Sequence, residues 1–82
     1  SPKTGIVMEV YTDQPGVQLY TGNWMSGNLR GKHDHRYPAR AALCLETQHY
    51  PDSPNKPEYP STRLNPEDTF RSTTIFRFTL GA

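Results

Sequence analysis

The sequence has one cysteine, Cys44, and a net charge of only +1. A single cysteine excludes an internal disulfide, which favours a reducing compartment. The near-zero charge and the scattered Lys and Arg residues argue against a nucleic-acid surface. No apolar run approaches the roughly 18 residues that cross a bilayer as a helix. We therefore expect no nucleic-acid and no membrane partner, and a cytoplasmic location, with a periplasmic or secreted one left open.

Apolar residues are also scarce. They make up 33% of the 82 residues, and Leu, Ile, Val and Phe together number 14. Folded domains usually contain about 45–50% apolar residues when glycine is included, and this chain stays below that range even with its 6 glycines. Chains with so few apolar residues are disordered when their net charge is high, but a net charge of +1 is too small for self-repulsion to unfold this chain. We expect instead a trimmed or cleaved beginning at Ser1 and a core that is completed by residues outside this sequence.

No segment shows the stripe of an amphipathic helix, whereas alternation of period two recurs along the chain. This alternation predicts four strands, at residues 6–12, 17–21, 41–48 and 73–80. The first and last strands each have an apolar face, formed by Ile6, Met8 and Val10 in the first and by Phe76, Phe78 and Leu80 in the last. Residues 13–16 read as a turn. The sequence thus predicts an all-β, mostly antiparallel fold with long loops at 26–40 and 51–66.

The third predicted strand carries one carboxylate in its middle. Alternation places Glu46 on a small, polar face with Cys44, opposite a face that contains Leu43 and Leu45. A Glu in the wall of a cleft can act as a general base when an acid lies across the bound ligand. The competing interpretation is a solvent-facing Glu on an antiparallel sheet. The residues alone leave both interpretations open.

Three nearby side chains are suited to binding a sugar. Gln18 and Tyr20 share a face of the second predicted strand, and a side-chain amide both donates and accepts hydrogen bonds with hydroxyl groups. Tyr20 and Trp24 offer rings to the apolar face of a sugar. Packing is the alternative role for both aromatic residues.

Each of the two long loops contains a pattern that would suit a function other than sugar binding. His33 and His35 flank Asp34, and both residue types can bind metals. Three such residues in a loop are weak evidence for a metal site, so we predict solvated side chains and no metal. The second long loop contains overlapping P-x-x-P units, built from Pro51, Pro54, Pro57 and Pro60. These prolines either stiffen a long connection or form a polyproline ligand, although the acidic residues between them fit such a ligand poorly.

Two motifs carry a family resemblance, "PGVQLYTGN" and "CLETQHYPDSPN". In this order and separation they resemble the C-terminal part of the aldose 1-epimerases, the galactose mutarotase family, and the likeness extends from about Val10 to Phe78. The resemblance implies a large antiparallel β-sandwich with a sugar in an open cleft. It also implies that residues 1–82 are a C-terminal segment and not a complete domain, so that the remainder of the epimerase chain is needed as a partner to complete the sandwich.

The resemblance assigns roles to two residues. The Glu of the "LETQ" motif, Glu46 here, is implied to be the catalytic general base, and the Gln of "PGVQ", Gln18, is implied to bind the substrate. The implied reaction interconverts the α and β anomers of an aldohexose such as glucose or galactose, and it needs no cofactor and no metal. The family's catalytic His lies upstream and has no counterpart here, so we expect the isolated 82-residue chain to be inactive. The alternative is a non-catalytic sugar-binding β-sandwich or an inactive fragment that lacks the general acid.

Overall fold

The structure is a computed structural model that describes residues 1–81. Its strands are β1 (Ile6–Thr12), β2 (Gly16–Tyr20), β3 (Cys44–Gln48) and β4 (Thr74–Leu80), with short 3-10 turns at Lys32–Asp34 and Ser53–Asn55. β1 pairs with β4, and β2 pairs with β3. The chain divides into two compact units, residues 1–16 with 47–81, and residues Val17–Glu46. The predicted all-β architecture is confirmed, and β1 has the predicted bounds.

β1 and β4 pair antiparallel in a register that gathers the apolar residues on one face. Directly opposed residues of an antiparallel pair lie on the same face of the sheet. The apolar face therefore consists of three opposed pairs, Ile6 with Leu80, Met8 with Phe78, and Val10 with Phe76. On the other face Arg77 Nη1 lies 3.3 Å from Glu9 Oε2, so the pair forms an ion bridge across the strands.

The apolar face of this sheet is uncovered. Phe78 is 63% exposed and Leu80 is 81% exposed, and within residues 1–81 no hydrophobic side chain is buried. Burial of apolar surface is the main force that holds a sheet together, at about 25 cal/mol for each Å² removed from water. The two-stranded β1–β4 sheet thus lacks the covering layer that stable sheets of this size require.

Hydrogen bonds at the start of β4 fix that strand against the end of β1. Asp13 accepts hydrogen bonds from the Ser72 hydroxyl at 2.7 Å and from the Thr73 N–H at 3.2 Å. The bond from Ser72 lowers the pKa of the Asp13 carboxyl below its ordinary value of 3.8, and the backbone bond from Thr73 acts in the same direction. The carboxylate is therefore held in its charged form by the chain segment that precedes β4.

Three threonine hydroxyls form a chain beside this point. Thr74 Oγ1 lies 3.1 Å from Thr12 Oγ1 and 2.8 Å from Thr47 Oγ1. Each hydroxyl has one proton to donate and can also accept, so the three groups satisfy one another in sequence. Thr12 belongs to β1, Thr74 to β4 and Thr47 to β3, which means that the chain of hydroxyls fixes the Thr47 end of β3.

The third strand is shorter than the alternation predicts. It begins at Cys44, because Arg40 adopts a left-handed conformation with φ of 69° and the Ala41 N–H donates to the Pro38 carbonyl at 3.1 Å. This turn includes Ala41, the first residue that the pattern assigns to the strand. The other two differences from the predicted bounds are smaller. β2 begins and ends one residue earlier than predicted, at Gly16 and Tyr20, and β4 begins one residue later, at Thr74.

The proline-rich loop after β3 is folded into turns and is not an extended polyproline helix. Asp52 has a φ of 64°, and the N–H groups of Asn55 and Lys56 donate to carbonyls three residues earlier. A polyproline helix has no internal backbone hydrogen bonds. The Tyr50 and Tyr59 rings meet edge to face at 5.1 Å, which closes the loop on itself. The hypothesis of a polyproline ligand is therefore wrong, and the prolines belong to a compact connection.

Candidate functional site

Glu46 lies near the middle of β3 with its side chain exposed. Its neighbours on the opposite face, Leu45 and Thr47, are half-buried, and the Thr47 hydroxyl is held 2.8 Å from that of Thr74. None of the ion pairs formed within residues 1–81 involves Glu46. The strand thus presents an unpaired carboxylate on one face while its other face is anchored.

Gln18 lies in β2, the strand that pairs with β3, and its side chain is also exposed. The amide Nε2 donates to the carbonyl of Leu19 at 3.4 Å, a long contact with the adjacent residue. A bond of that length is weak, so the amide can turn to a ligand at little cost. The structure therefore places both predicted site residues on one two-stranded sheet with their polar groups accessible.

Beyond the end of β2 the chain forms an aromatic cleft of about 230 Å³, lined by Tyr20, Trp24, Met25, Ser26, Leu29 and Tyr37. We call these six residues the aromatic cleft. The backbone N–H of Trp24 donates to the Tyr20 hydroxyl at 3.4 Å, a long contact between two residues that line the cleft. Trp24 is 85% exposed, so within residues 1–81 it is not a packing residue. The two aromatic residues that the sequence suggests for sugar contact do lie together.

The far wall of the cleft is fixed by a compact turn. The Lys32 N–H donates to the Tyr37 hydroxyl at 3.0 Å, and the Tyr37 ring lies against Gly31. A Cβ at position 31 would stand 2.0 Å from the Tyr37 ring, so any other residue there would have to displace the ring. Sequence reasoning missed Tyr37, because its approach depends on the turn at Lys32–Asp34 and not on a strand pattern.

Backbone hydrogen bonds join the two ends of the loop between β2 and β3 at Gly22. Its carbonyl accepts from the Met25 N–H at 3.2 Å and from the Arg40 N–H at 3.0 Å, and Arg40 Nη1 also donates to Thr21 Oγ1 at 2.6 Å. Gly22 has a φ of +70°, and a Cβ there would lie 3.1 Å from the Ala42 carbonyl oxygen. The long loop between β2 and β3 is therefore tied at both ends.

The His-Asp-His segment does not gather further ligands. All three side chains are exposed, and Asp34 is engaged by Arg30, whose Nη1 lies 2.6 Å from Asp34 Oδ2. The rings of His33 and His35 meet edge to face at 6.3 Å. Within residues 1–81 no group of three or more His, Cys, Asp or Glu side chains is placed to hold a metal ion.

The part of the chain that the structure describes includes no helix with the length and apolar character needed to span a bilayer.

Comparison with known proteins identifies the family to which this chain belongs. The family model for aldose 1-epimerase matches residues 1–77. The chain belongs to the aldose 1-epimerase family. It is 49% identical over 77 residues to the galactose mutarotase of Mus musculus and 48% identical to that of Homo sapiens. It is 38% identical over 74 residues to the aldose 1-epimerase of Escherichia coli K12.

The matches cover most of this chain and a small part of each relative. They extend over 94% of the chain and 22% of the two mammalian proteins, and over 87% of the chain and 21% of the bacterial protein. The chain thus spans about a fifth of the length of these curated relatives. The predicted family and the antiparallel β-sandwich class are confirmed, whereas the roles of Glu46 and Gln18 stay predictions.

Proposed function

We propose that this chain forms the C-terminal part of an aldose 1-epimerase, which interconverts the α and β anomers of an aldohexose such as glucose or galactose. The family match and the names of the relatives support the reaction class. The observation that carries the proposal is the exposed, unpaired carboxylate of Glu46 on an anchored strand, within the family's "LETQ" motif.

The chain acts as part of a larger β-sandwich. The uncovered apolar face of the β1–β4 sheet supports this proposal, since Phe76, Phe78 and Leu80 are 48%, 63% and 81% exposed. Exposed apolar rows on a sheet normally face a second sheet about 10 Å away. The remainder of the epimerase chain is the proposed source of that layer, and also of the general acid.

Glu46 serves as the general base in this proposal. It accepts the proton of the anomeric hydroxyl while the acid donates a proton to the ring oxygen, the bond from C1 to the ring oxygen breaks, and C1 becomes an aldehyde. Rotation about the bond between C1 and C2 presents the other face of the carbonyl. Attack by the former ring hydroxyl then closes the ring: its proton returns to the deprotonated acid, and the proton on Glu46 passes to the carbonyl oxygen. Because the sugar supplies its own leaving group, this route needs neither a metal nor a cofactor.

Gln18 binds the sugar by hydrogen bonds to its hydroxyls. Its exposed amide offers two N–H donors and one carbonyl acceptor, and its internal contact with the Leu19 carbonyl is long at 3.4 Å. We expect Gln18→Ala to raise KM more than it lowers kcat, because the amide contacts groups that do not change during the reaction.

The test is polarimetric measurement of α-glucose and α-galactose equilibration by the full-length protein, with the spontaneous rate subtracted. Glu46→Gln keeps the shape of the side chain and removes the base, so we expect kcat to fall by about 10²–10⁴-fold. Glu67→Gln is the matched control, because Glu67 is an exposed loop residue, and we expect it to retain the wild-type rate. A Glu46→Gln protein with the wild-type rate would contradict the assignment of the base.

Two further outcomes separate the alternatives. A full-length protein that binds the sugar without accelerating its mutarotation would be the non-catalytic binding protein. The isolated 82-residue chain is expected to give only the spontaneous rate, because it lacks the general acid. Glu46-dependent acceleration by the isolated chain would contradict the proposal that the acid comes from elsewhere.

A further inference from the structure

We propose that Thr74 is a positioning residue for the general base: by holding Thr47, it fixes the direction in which β3 presents Glu46 to the sugar. This inference rests on the proposed function and deepens it, because it names a residue on which the efficiency of Glu46 depends. Thr74 itself does not touch the substrate. It acts through the strand backbone, so its effect on the rate should be seen only when Glu46 is present.

The first argument is the alternation of β3. Glu46 and Thr47 are consecutive residues of this strand, so their side chains leave the backbone on opposite faces. A rotation of the strand about its own axis that moves Thr47 must therefore also turn Glu46. Within residues 1–81 Glu46 forms no ion pair that would hold its side chain from its own face. The direction of its Cα–Cβ bond is thus set by the strand that carries it.

The second argument is that the bond from Thr74 reaches the backbone of β3 through a stiff side chain. The hydroxyl oxygens of Thr47 and Thr74 lie 2.8 Å apart, the usual distance for a hydrogen bond between two hydroxyls. Threonine branches at Cβ, which restricts rotation about χ1. Because Oγ1 is only two bonds from Cα, holding the Thr47 hydroxyl restrains the strand itself and not merely the end of a long side chain.

The third argument is that Thr74 is itself fixed on the β1–β4 sheet. It is paired directly opposite Thr12, and the two hydroxyl oxygens lie 3.1 Å apart. The two preceding residues, Ser72 and Thr73, donate hydrogen bonds to the carboxylate of Asp13. Thr74 is thus held through its own hydroxyl and through the residues before it, so it can restrain β3 rather than move with it.

General-base catalysis depends on this kind of restraint. The carboxylate oxygen must lie within about 2.6–3.2 Å of the hydroxyl that it deprotonates, and catalytic groups need to be held to within about 0.5 Å of the productive geometry. A misplacement of about 1 Å can cost about 100-fold in rate. Loss of one attachment of β3 loosens Glu46 by less than that, so we expect a loss of about tenfold in kcat.

The experiment is a kinetic double-mutant cycle on the full-length protein, measured by polarimetry with α-galactose. We expect Thr74→Val to lower kcat by about tenfold and to leave KM within about twofold of wild type, because the groups that bind the sugar are unchanged. In the Glu46→Gln background the same substitution should change the residual rate by less than about twofold. A residue that mattered only for folding would lower both rates by the same factor.

Two further substitutions make the test specific. Thr74→Ser retains the hydroxyl and should restore most of kcat. Thr79→Val is the matched control, because Thr79 is also a half-buried threonine of β4 but lies about 17 Å along the strand from Thr74. It is paired opposite Val7 and is not part of the chain of hydroxyls. We expect Thr79→Val to keep the wild-type kcat.

Thr47→Val removes the same bond from the other side and replaces Thr74→Val if that variant does not fold. We expect the same loss of kcat and the same dependence on Glu46. A folded variant with the wild-type kcat, or an equal loss in the Glu46→Gln background, would overturn the positioning role and leave the base assigned to Glu46. A Glu46→Gln protein with the wild-type rate contradicts the proposed function instead, and the positioning role is then refuted with it.

Discussion

Replacing Thr74 by valine tests the chain of hydroxyls that fixes one end of β3. Thr74 Oγ1 lies 2.8 Å from Thr47 Oγ1 and 3.1 Å from Thr12 Oγ1, and all three residues are half-buried. Valine has nearly the same shape and the same branched Cβ, so it keeps the packing and the strand preference of threonine. The substitution therefore removes two hydrogen bonds and little else.

The expected cost follows from these two bonds. Each contributes about 0.5–1.5 kcal/mol net, which gives about 1–3 kcal/mol for both. The lower part of this range applies, because half-buried hydroxyls of Thr12 and Thr47 can turn to water when Thr74 is lost. We expect Thr74→Val to lower the free energy of unfolding of the full-length protein by about 1–2 kcal/mol.

Urea unfolding measures this change as a lower midpoint with an unchanged slope. A double-mutant cycle with Thr47→Val and Thr74→Val isolates the direct bond, for which we expect a coupling energy of about 1 kcal/mol. Thr74→Ser keeps the hydroxyl and should lose less stability than Thr74→Val. The reasoning fails if Thr74→Val unfolds at the wild-type urea concentration, or if the two threonine substitutions are strictly additive.

Two further changes probe the turn after β1 and the wall of the cleft. The folded-state pKa of Asp13 is lowered by the Ser72 hydroxyl, so its stabilising effect is fully present above the unfolded pKa of about 3.8 and is lost as pH falls through the folded pKa. Asp13→Asn should therefore lower stability at pH 6 and have a smaller effect at pH 2.5; urea midpoints that differ equally at both pH values would contradict this. Gly31→Ala should displace the Tyr37 ring, because the new Cβ would lie 2.0 Å from it. Hydrogen exchange at the Lys32 amide should then accelerate, and an unchanged exchange rate would refute the contact.

The strand faces were predictable because their periodicity is local. Ile6, Met8 and Val10 alternate with other residues, and alternation alone places them on one face. The same holds for the apolar face of β4. Which strand pairs with which is not a local property, since β1 pairs with β4 across nearly the whole chain. The register that joins the two apolar faces therefore had to come from the structure.

The start of β3 shows the limit of pattern reasoning. Ala41 to Leu43 continue the alternation of residues 44–48 in the sequence, yet the strand begins at Cys44. The left-handed backbone of Arg40 and the hydrogen bond from Ala41 to Pro38 bend the chain there. A turn stabilised by one backbone bond leaves no periodic signal, so the boundary was predicted three residues too early.

The sequence by itself determined the family, the all-β class and the candidate residues Glu46 and Gln18, because short motifs and period-two alternation depend only on neighbours along the chain. The tertiary structure alone decided that Thr74 anchors Thr47, and that Tyr37 closes a cleft with Trp24. These contacts join residues 27 positions apart in the first case and depend on the turn at Gly31 in the second. Contacts of this kind follow from where the chain turns back on itself, and no local pattern encodes that.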